Sequence, residues 1–95
     1  MKTSVVGLGK LGAPLAAVMA SRGHEVVGFD TDRERVYALN SGHAPVEETG
    51  LQSLIDANRT HISATTNFAD AVAKTELTFI VVPTPSGPDG LLAHA

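Results

Sequence analysis

The 95-residue chain contains no cysteine and no tryptophan. The missing cysteine excludes disulfides, thiolate metal sites and a thiol nucleophile within these residues. Four histidines, His24, His43, His61 and His94, are scattered without ligand spacing, so no metal site is expected. Aromatics are few, three phenylalanines and one tyrosine, and the net charge is −3. The chain therefore has neither the stacking platform nor the basic footprint of a nucleic-acid binder. Long apolar runs are missing too. The longest, around Pro14 to Ala20, is about a third of the ~20 residues a membrane-spanning helix needs. Lys2 and the small residues Val18-Met19-Ala20 superficially imitate a secretory signal. Lys10 and three glycines interrupt its would-be apolar core, so a cytoplasmic chain is expected. No internal repeat is visible.

What is present is a core-forming composition, 43% hydrophobic, and an informative opening. One domain covering residues 1–95 is expected at this length. Gly7-Leu8-Gly9-Lys10-Leu11-Gly12 is a G-x-G-x-x-G string, and Asp30 follows eighteen residues after its last glycine. Such a string is weak evidence alone; its surroundings make it stronger. Thr3-Ser4-Val5-Val6 reads as a strand running into the first glycine, and Leu11, Leu15, Val18 and Met19 recur at helical spacing after it. His24 to Phe29 reads as a second strand that delivers Asp30 to its C-terminal end. This is the strand–loop–helix–strand–acid order of a dinucleotide-binding unit.

Each residue type suits that chemistry. Gly7 permits a tight turn, Gly9 a close approach of backbone to pyrophosphate, and Gly12 close packing of helix on sheet. The helix N-terminus offers unpaired N–H groups and a positive dipole end to the phosphates. Pro14 is tolerated in that first turn, and Gly23 suits a left-handed C-cap. A carboxylate at position 30 accepts the hydrogen bonds of an adenosine ribose diol and repels a 2′-phosphate, which favours NAD over NADP. The competing reading is an ordinary βαβ unit with structural glycines and a solvated Asp30.

Further along, Asp32 is a plausible N-cap for a second helix with Val36 and Leu39 buried. Asn40-Ser41-Gly42 ends it. A loop with Pro45, Glu47 and Glu48 precedes a short amphipathic segment carrying Leu51, Leu54 and Ile55. His61 to Thr65 suggests a third strand. Thr66 or Asn67 caps another helix, with Phe68, Ala71 and Val72 facing inward. Leu77 to Val82 reads as a fourth strand buried on both faces. Alternating strands and helices imply a Rossmann-type doubly wound α/β fold with a parallel sheet in the order 3-2-1-4. Its ligand crevice lies where the order reverses, between strands 1 and 4. Val82-Pro83-Thr84-Pro85-Ser86 leaves the fourth strand toward that crevice. Thr84 there is either a ligand contact or part of a rigid exit loop.

Along essentially its whole length the chain resembles the N-terminal NAD-binding domain of the UDP-glucose/GDP-mannose dehydrogenase family. The opening VGLGKLGAPLAAVMASRGHEVVGFD is shared in style with β-hydroxyacid dehydrogenases. PVEETGLQSLI and FIVVPTPSGPDG are more discriminating. The resemblance implies backbone contacts from Lys10 and Leu11 to NAD, Asp30 on the adenosine ribose with Arg35 beside it, and Thr84 near the pyrophosphate and nicotinamide ribose. The family usually has Tyr-Val where Lys10-Leu11 stand, and Pro at Thr49, which loosens any role for Glu48. It further implies a larger parent enzyme whose catalytic cysteine, lysine and asparagine lie beyond the residues represented here. That parent would oxidise the C6 alcohol of a sugar nucleotide twice, to a carboxylate, through a thiohemiacetal and a thioester. On this view the chain is an enzyme fragment, inactive alone, and its severed sheet edge favours a homo-oligomer. Two other readings stay open: the cofactor domain of a β-hydroxyacid dehydrogenase, and a non-catalytic nucleotide-binding module.

Overall fold

Parallel strands need crossover connections, and the helices of this chain supply them on both faces of one sheet. The computed structural model describes residues 1–81. Its elements, in order, are β1 (Lys2–Val6), α1 (Gly12–Ser21), β2 (Glu25–Phe29), α2 (Arg33–Asn40), α3 (Leu51–Ala57), a single 3₁₀ turn (Arg59–His61), β3 (Ile62–Thr65), α4 (Phe68–Ala73) and β4 (Leu77–Ile80). The four strands form one parallel sheet in the order β3-β2-β1-β4. This is the expected Rossmann-type order.

Local chemistry sets the helix ends where the sequence pattern places them. Asp32 caps α2 by accepting the backbone N–H groups of Glu34 and Arg35 at 2.9 and 3.4 Å. Of the two candidate caps for α4 it is Asn67 that accepts, from the Asp70 N–H at 3.0 Å. Gly23 follows α1 at φ +91°, a left-handed position that a Cβ would strain.

Side chains alternate across the sheet, so successive residues of β1 report its two layers. Val5 packs with Ala16 and Ala20 of α1 and with Val26 of β2. On this same side, Leu8, Ala13, Ala17, Val36, Leu39, Leu51 and Ile55 join the glycine loop, α1, α2 and α3 in a second cluster. Ser4 points the other way, toward α4. It donates to Thr78 Oγ1 at 2.8 Å and accepts from the Thr75 hydroxyl at 3.0 Å, so the hydroxyl of this fully buried side chain is satisfied.

Two expectations about the core, for α4 and β4, are corrected here, and the buried face of α1 is a further finding. The face that α1 buries is not its large apolar residues but a stripe of small ones: Gly12, Ala13, Ala16, Ala17 and Ala20. Leu11 and Val18 are exposed, while Leu15 and Met19 are half-buried at the margin. Small residues let the helix axis approach the sheet closely, and the bulky residues are displaced to its flanks. In α4 only Ala71 is buried. Phe68 and Val72 remain partly exposed, although the Phe68 ring meets Phe29 edge-on at 5.4 Å. Finally, β4 is not buried on both faces: Leu77 and Ile80 are exposed, because β4 is the sheet edge among the described residues. Val82, Thr84 and the rest of the proline-rich exit lie outside the described residues.

The opposite edge, β3, is blunted by a side chain. Asn40 donates through Nδ2 to the Ala64 carbonyl at 2.9 Å and accepts the Ala64 N–H at 2.8 Å. It occupies the pairing groups that an edge strand would otherwise present.

Candidate functional site

A cleft of about 580 Å³ opens at the C-terminal ends of the strands. Its floor is the glycine loop between β1 and α1, one wall is the end of β2 with Asp30 and Thr31, and Arg35 of α2 overhangs it. Gly7, Gly9, Lys10, Leu11, Gly12, Asp30 and Arg35 are thus brought together around one space. Thr84 is the member of the expected set that lies outside the described residues. Glu47 and Glu48 do not share the cleft; they are exposed on a separate shallow recess beside Gln52.

The three glycines do different work, and the geometry separates them. Gly7 sits at φ +105°, and a Cβ there would run into the backbone carbonyl of Val81. At Gly12 a Cβ would collide with the carbonyl of Gly7, so the turn and the helix start pack backbone against backbone. Gly9 is different: its nearest neighbour would be Arg35 Nη1, at 3.7 Å. Nothing in the described protein needs a glycine at position 9. The space beside it belongs to the cleft, as a ligand pressed against the backbone would require.

The loop also leaves hydrogen-bond donors free. The α1 ladder begins with the Ala13 N–H on the Gly9 carbonyl at 3.0 Å. Among the described residues no acceptor is present for the N–H groups of Lys10, Leu11 and Gly12, one turn ahead. Three unpaired donors at the positive end of a ten-residue helix make a cradle for an anion.

Two features of the site escape a reading of the motif. Leu8, the residue between the first two glycines, is fully buried and packs over Gly28, where an added Cβ would lie 2.7 Å from its Cδ2. It pins the loop to the core. The visible signal is a large aliphatic residue inside a glycine string, paired with a glycine in the adjacent strand. The second is Asp30 itself. It is not solvated: Oδ2 accepts the Leu8 N–H at 2.8 Å, Oδ1 accepts the Asp32 N–H at 2.9 Å, and Arg35 Nη1 lies 3.4 Å from Oδ2. The carboxylate holds the glycine loop as well as facing the cleft.

Burial works against the charged form of Asp30. The N–H groups of Asp32 and Leu8 and the Arg35 guanidinium outweigh it, and the carboxyl stays below the usual carboxylate range. A folded-state value below the unfolded one means stabilisation present above the unfolded value of about 4 and lost as pH falls through the folded value. The melting temperature is therefore expected to fall below about pH 4, and to fall less steeply in Asp30→Asn. Parallel melting curves for the two proteins would show that Asp30 contributes nothing to acid stability.

Among the described residues no group of three or more His, Asp or Glu side chains is placed to hold a metal ion, and no helix is long and apolar enough to cross a membrane.

The family model described as the NAD binding domain of the UDP-glucose/GDP-mannose dehydrogenase family matches residues 1–94. The GDP-mannose 6-dehydrogenase of Pseudomonas aeruginosa is 39% identical over 92 residues, which is 95% of this chain and 21% of that protein. A UDP-glucose 6-dehydrogenase of Haloferax volcanii is 41% identical over 91 residues, with the same two coverages. In three dimensions, the chain is similar to a GDP-mannose dehydrogenase from Pseudomonas aeruginosa solved as a ternary complex, with a TM-score of 0.87 over 95% of this chain and 21% of that one. The UDP-glucose dehydrogenase of Pyrobaculum islandicum gives 0.82 at 37% identity, covering 93% of this chain and 21% of that one. The chain thus spans about a fifth of the length of the relatives it matches.

Proposed function

Because this chain belongs to the UDP-glucose/GDP-mannose dehydrogenase family, we propose that residues 1–95 are the NAD-binding domain of an enzyme that oxidises the C6 alcohol of a UDP- or GDP-sugar to a carboxylate. Relatives named for UDP-glucose and for GDP-mannose match about equally well, so the proposal is for the class of sugar nucleotide. The observation that carries the reading is the cleft itself. N–H donors of Lys10, Leu11 and Gly12 that have no acceptor among the described residues, an open backbone at Gly9 and a carboxylate converge on a single space.

When bound, NAD accepts the hydride removed from the sugar carbon; an alcohol reaching a carboxylate gives up two, so two NAD molecules are consumed. This chain's residues bind and orient. Lys10, Leu11 and Gly12 offer their N–H groups to the pyrophosphate, and Gly9 leaves it room. Gly7 sets the turn that aims the loop. Asp30 takes the adenosine ribose hydroxyls while keeping its bond to Leu8, with Arg35 beside it. Leu11, exposed at the cleft, and Thr84, which follows β4 in the sequence and lies outside the described residues, complete the proposed set. Among the described residues β4 is a sheet edge, which supports a homo-oligomeric or further-extended sheet in the parent; we place that parent in the cytoplasm.

Titration of the 95-residue chain with NAD, followed by amide chemical shifts, is expected to move the signals of Gly7 to Gly12. Contacts from one side of the cofactor alone should leave affinity on the order of millimolar, about −4 kcal/mol. Unmoved loop signals at saturating NAD would refute the assignment. NADH production is expected from the full-length parent with UDP-glucose or GDP-mannose, and not from this chain, which holds no cysteine. A parent active on a β-hydroxyacid and on neither sugar nucleotide would overturn the proposed substrate class.

A further inference from the structure

The cleft is lined by two cationic side chains, Lys10 and Arg35, and they are not equivalent. Arg35 is committed: Nη1 lies 3.4 Å from Asp30 Oδ2, and Nε lies 3.7 Å from Asp32 Oδ2. Two carboxylates surround one guanidinium, so Arg35 brings no surplus positive charge to a ligand. Lys10 has no carboxylate within 4 Å among the described residues. It is exposed, and its own N–H is one of the three unpaired donors of the cradle.

We propose that the Lys10 ammonium is an electrostatic ligand of the cofactor's pyrophosphate, adding a side-chain charge to a cradle otherwise built from backbone. Its four-carbon stem starts within the cradle, and a compact ammonium with three rotatable donors suits phosphate oxygens whose orientation it need not match. The surrounding wall is largely apolar, with Val6, Leu11, Phe29 and Val81 facing the space. Such a wall concentrates the field of the Lys10 ammonium, the one uncommitted cation of the cleft among the described residues. The helix dipole and the ammonium then act on the same anion from adjacent positions. Lys10 is a binding residue in this role and takes no part in hydride transfer.

This rests on the assignment of the cleft to NAD, and the experiment separates the two claims. Adenosine, ADP-ribose and NAD are titrated into the 95-residue chain and into Lys10→Gln and Lys10→Arg, at low salt and at about 0.5 M salt, where screening is nearly complete. Lys10→Gln is expected to weaken ADP-ribose and NAD about two- to fivefold at low salt, the range of a solvent-facing ion pair. At high salt the difference should vanish. Adenosine, which carries no phosphate, should bind both proteins equally, and Lys10→Arg should restore the loss. Equal affinity and equal salt dependence in Lys10→Gln and the unaltered chain would overturn the role of Lys10 alone. A loss that is the same for adenosine as for ADP-ribose would overturn it too, since that is a change of loop shape and not of charge. No binding of ADP-ribose by the unaltered chain would overturn both claims.

Discussion

Replacing Gly12 with alanine is expected to cost at least about 3 kcal/mol of stability, at or beyond the top of the range for overpacked sites. The added Cβ would fall on the carbonyl of Gly7, a backbone atom that cannot rotate away, and Val5 closes the space behind it. Relief would require α1 to lift from β1 and to break the alanine stripe that seats it. Gly9→Ala is the informative partner, because its Cβ would meet nothing nearer than Arg35 Nη1 at 3.7 Å. That variant should melt within a few degrees of the parent chain, a surface-like change. It should nonetheless lose at least about tenfold in NAD affinity, since the methyl group would occupy the space where pyrophosphate approaches the backbone. Thermal unfolding and NAD titration of the two variants side by side decide the matter. Gly9→Ala binding NAD normally would place the ligand elsewhere, and Gly12→Ala folding normally would contradict the close packing of α1.

Asp30→Ala is expected to weaken NAD binding by roughly 1.5–3 kcal/mol, the scale for hydrogen bonds to a charged group. The structure adds a second consequence. The carboxylate accepts the Leu8 N–H, so its removal leaves that buried donor without a partner. Amide exchange at Leu8 should accelerate even without cofactor. NADP should be affected less than NAD, because the lost charge repels a 2′-phosphate and frees Arg35 to accept one. A pure ribose contact would leave Leu8 exchange unchanged, and a purely structural carboxylate would weaken both cofactors equally. An unaltered chain that already prefers NADP would remove the basis for assigning this residue to cofactor choice.

The sheet order, the glycine turn and the acidic residue at the end of β2 were legible from the sequence because each follows from local or nearest-neighbour rules. A β-branched run before Gly7, small residues at fixed intervals, Asp32 ahead of α2, Asn67 ahead of α4 and Gly23 after α1 all act within a few residues of themselves. Alternation of such elements then admits few parallel topologies, since crossovers are right-handed. Membership of the family rests on the same stretches, matched over residues 1–94.

Which residues are buried was another matter. Periodicity ranks residues by hydrophobicity, and in α4 it placed Phe68, Ala71 and Val72 inside. The tertiary structure buries Ala71 alone of these three, and in α1 it buries Gly12 and the alanines while Leu11 and Val18 stay exposed. How closely a helix approaches a sheet is set by the smallest residues at the contact, and that distance is a property of two elements together. The burial of β4 likewise depends on what lies beside it, and among the described residues it is an edge. Asp30 shows the difference most plainly. Its position in the chain gives the expectation of a ribose ligand. Only the folding of β2 against β1 brings the Leu8 amide within 2.8 Å and gives the same carboxylate the second task of holding the loop. The sequence by itself determined the fold class and the topology, and it pointed to the residues of the proposed cofactor cradle. The tertiary structure alone decided which faces are buried and which charges are already paired, because both depend on distances between segments far apart in the chain.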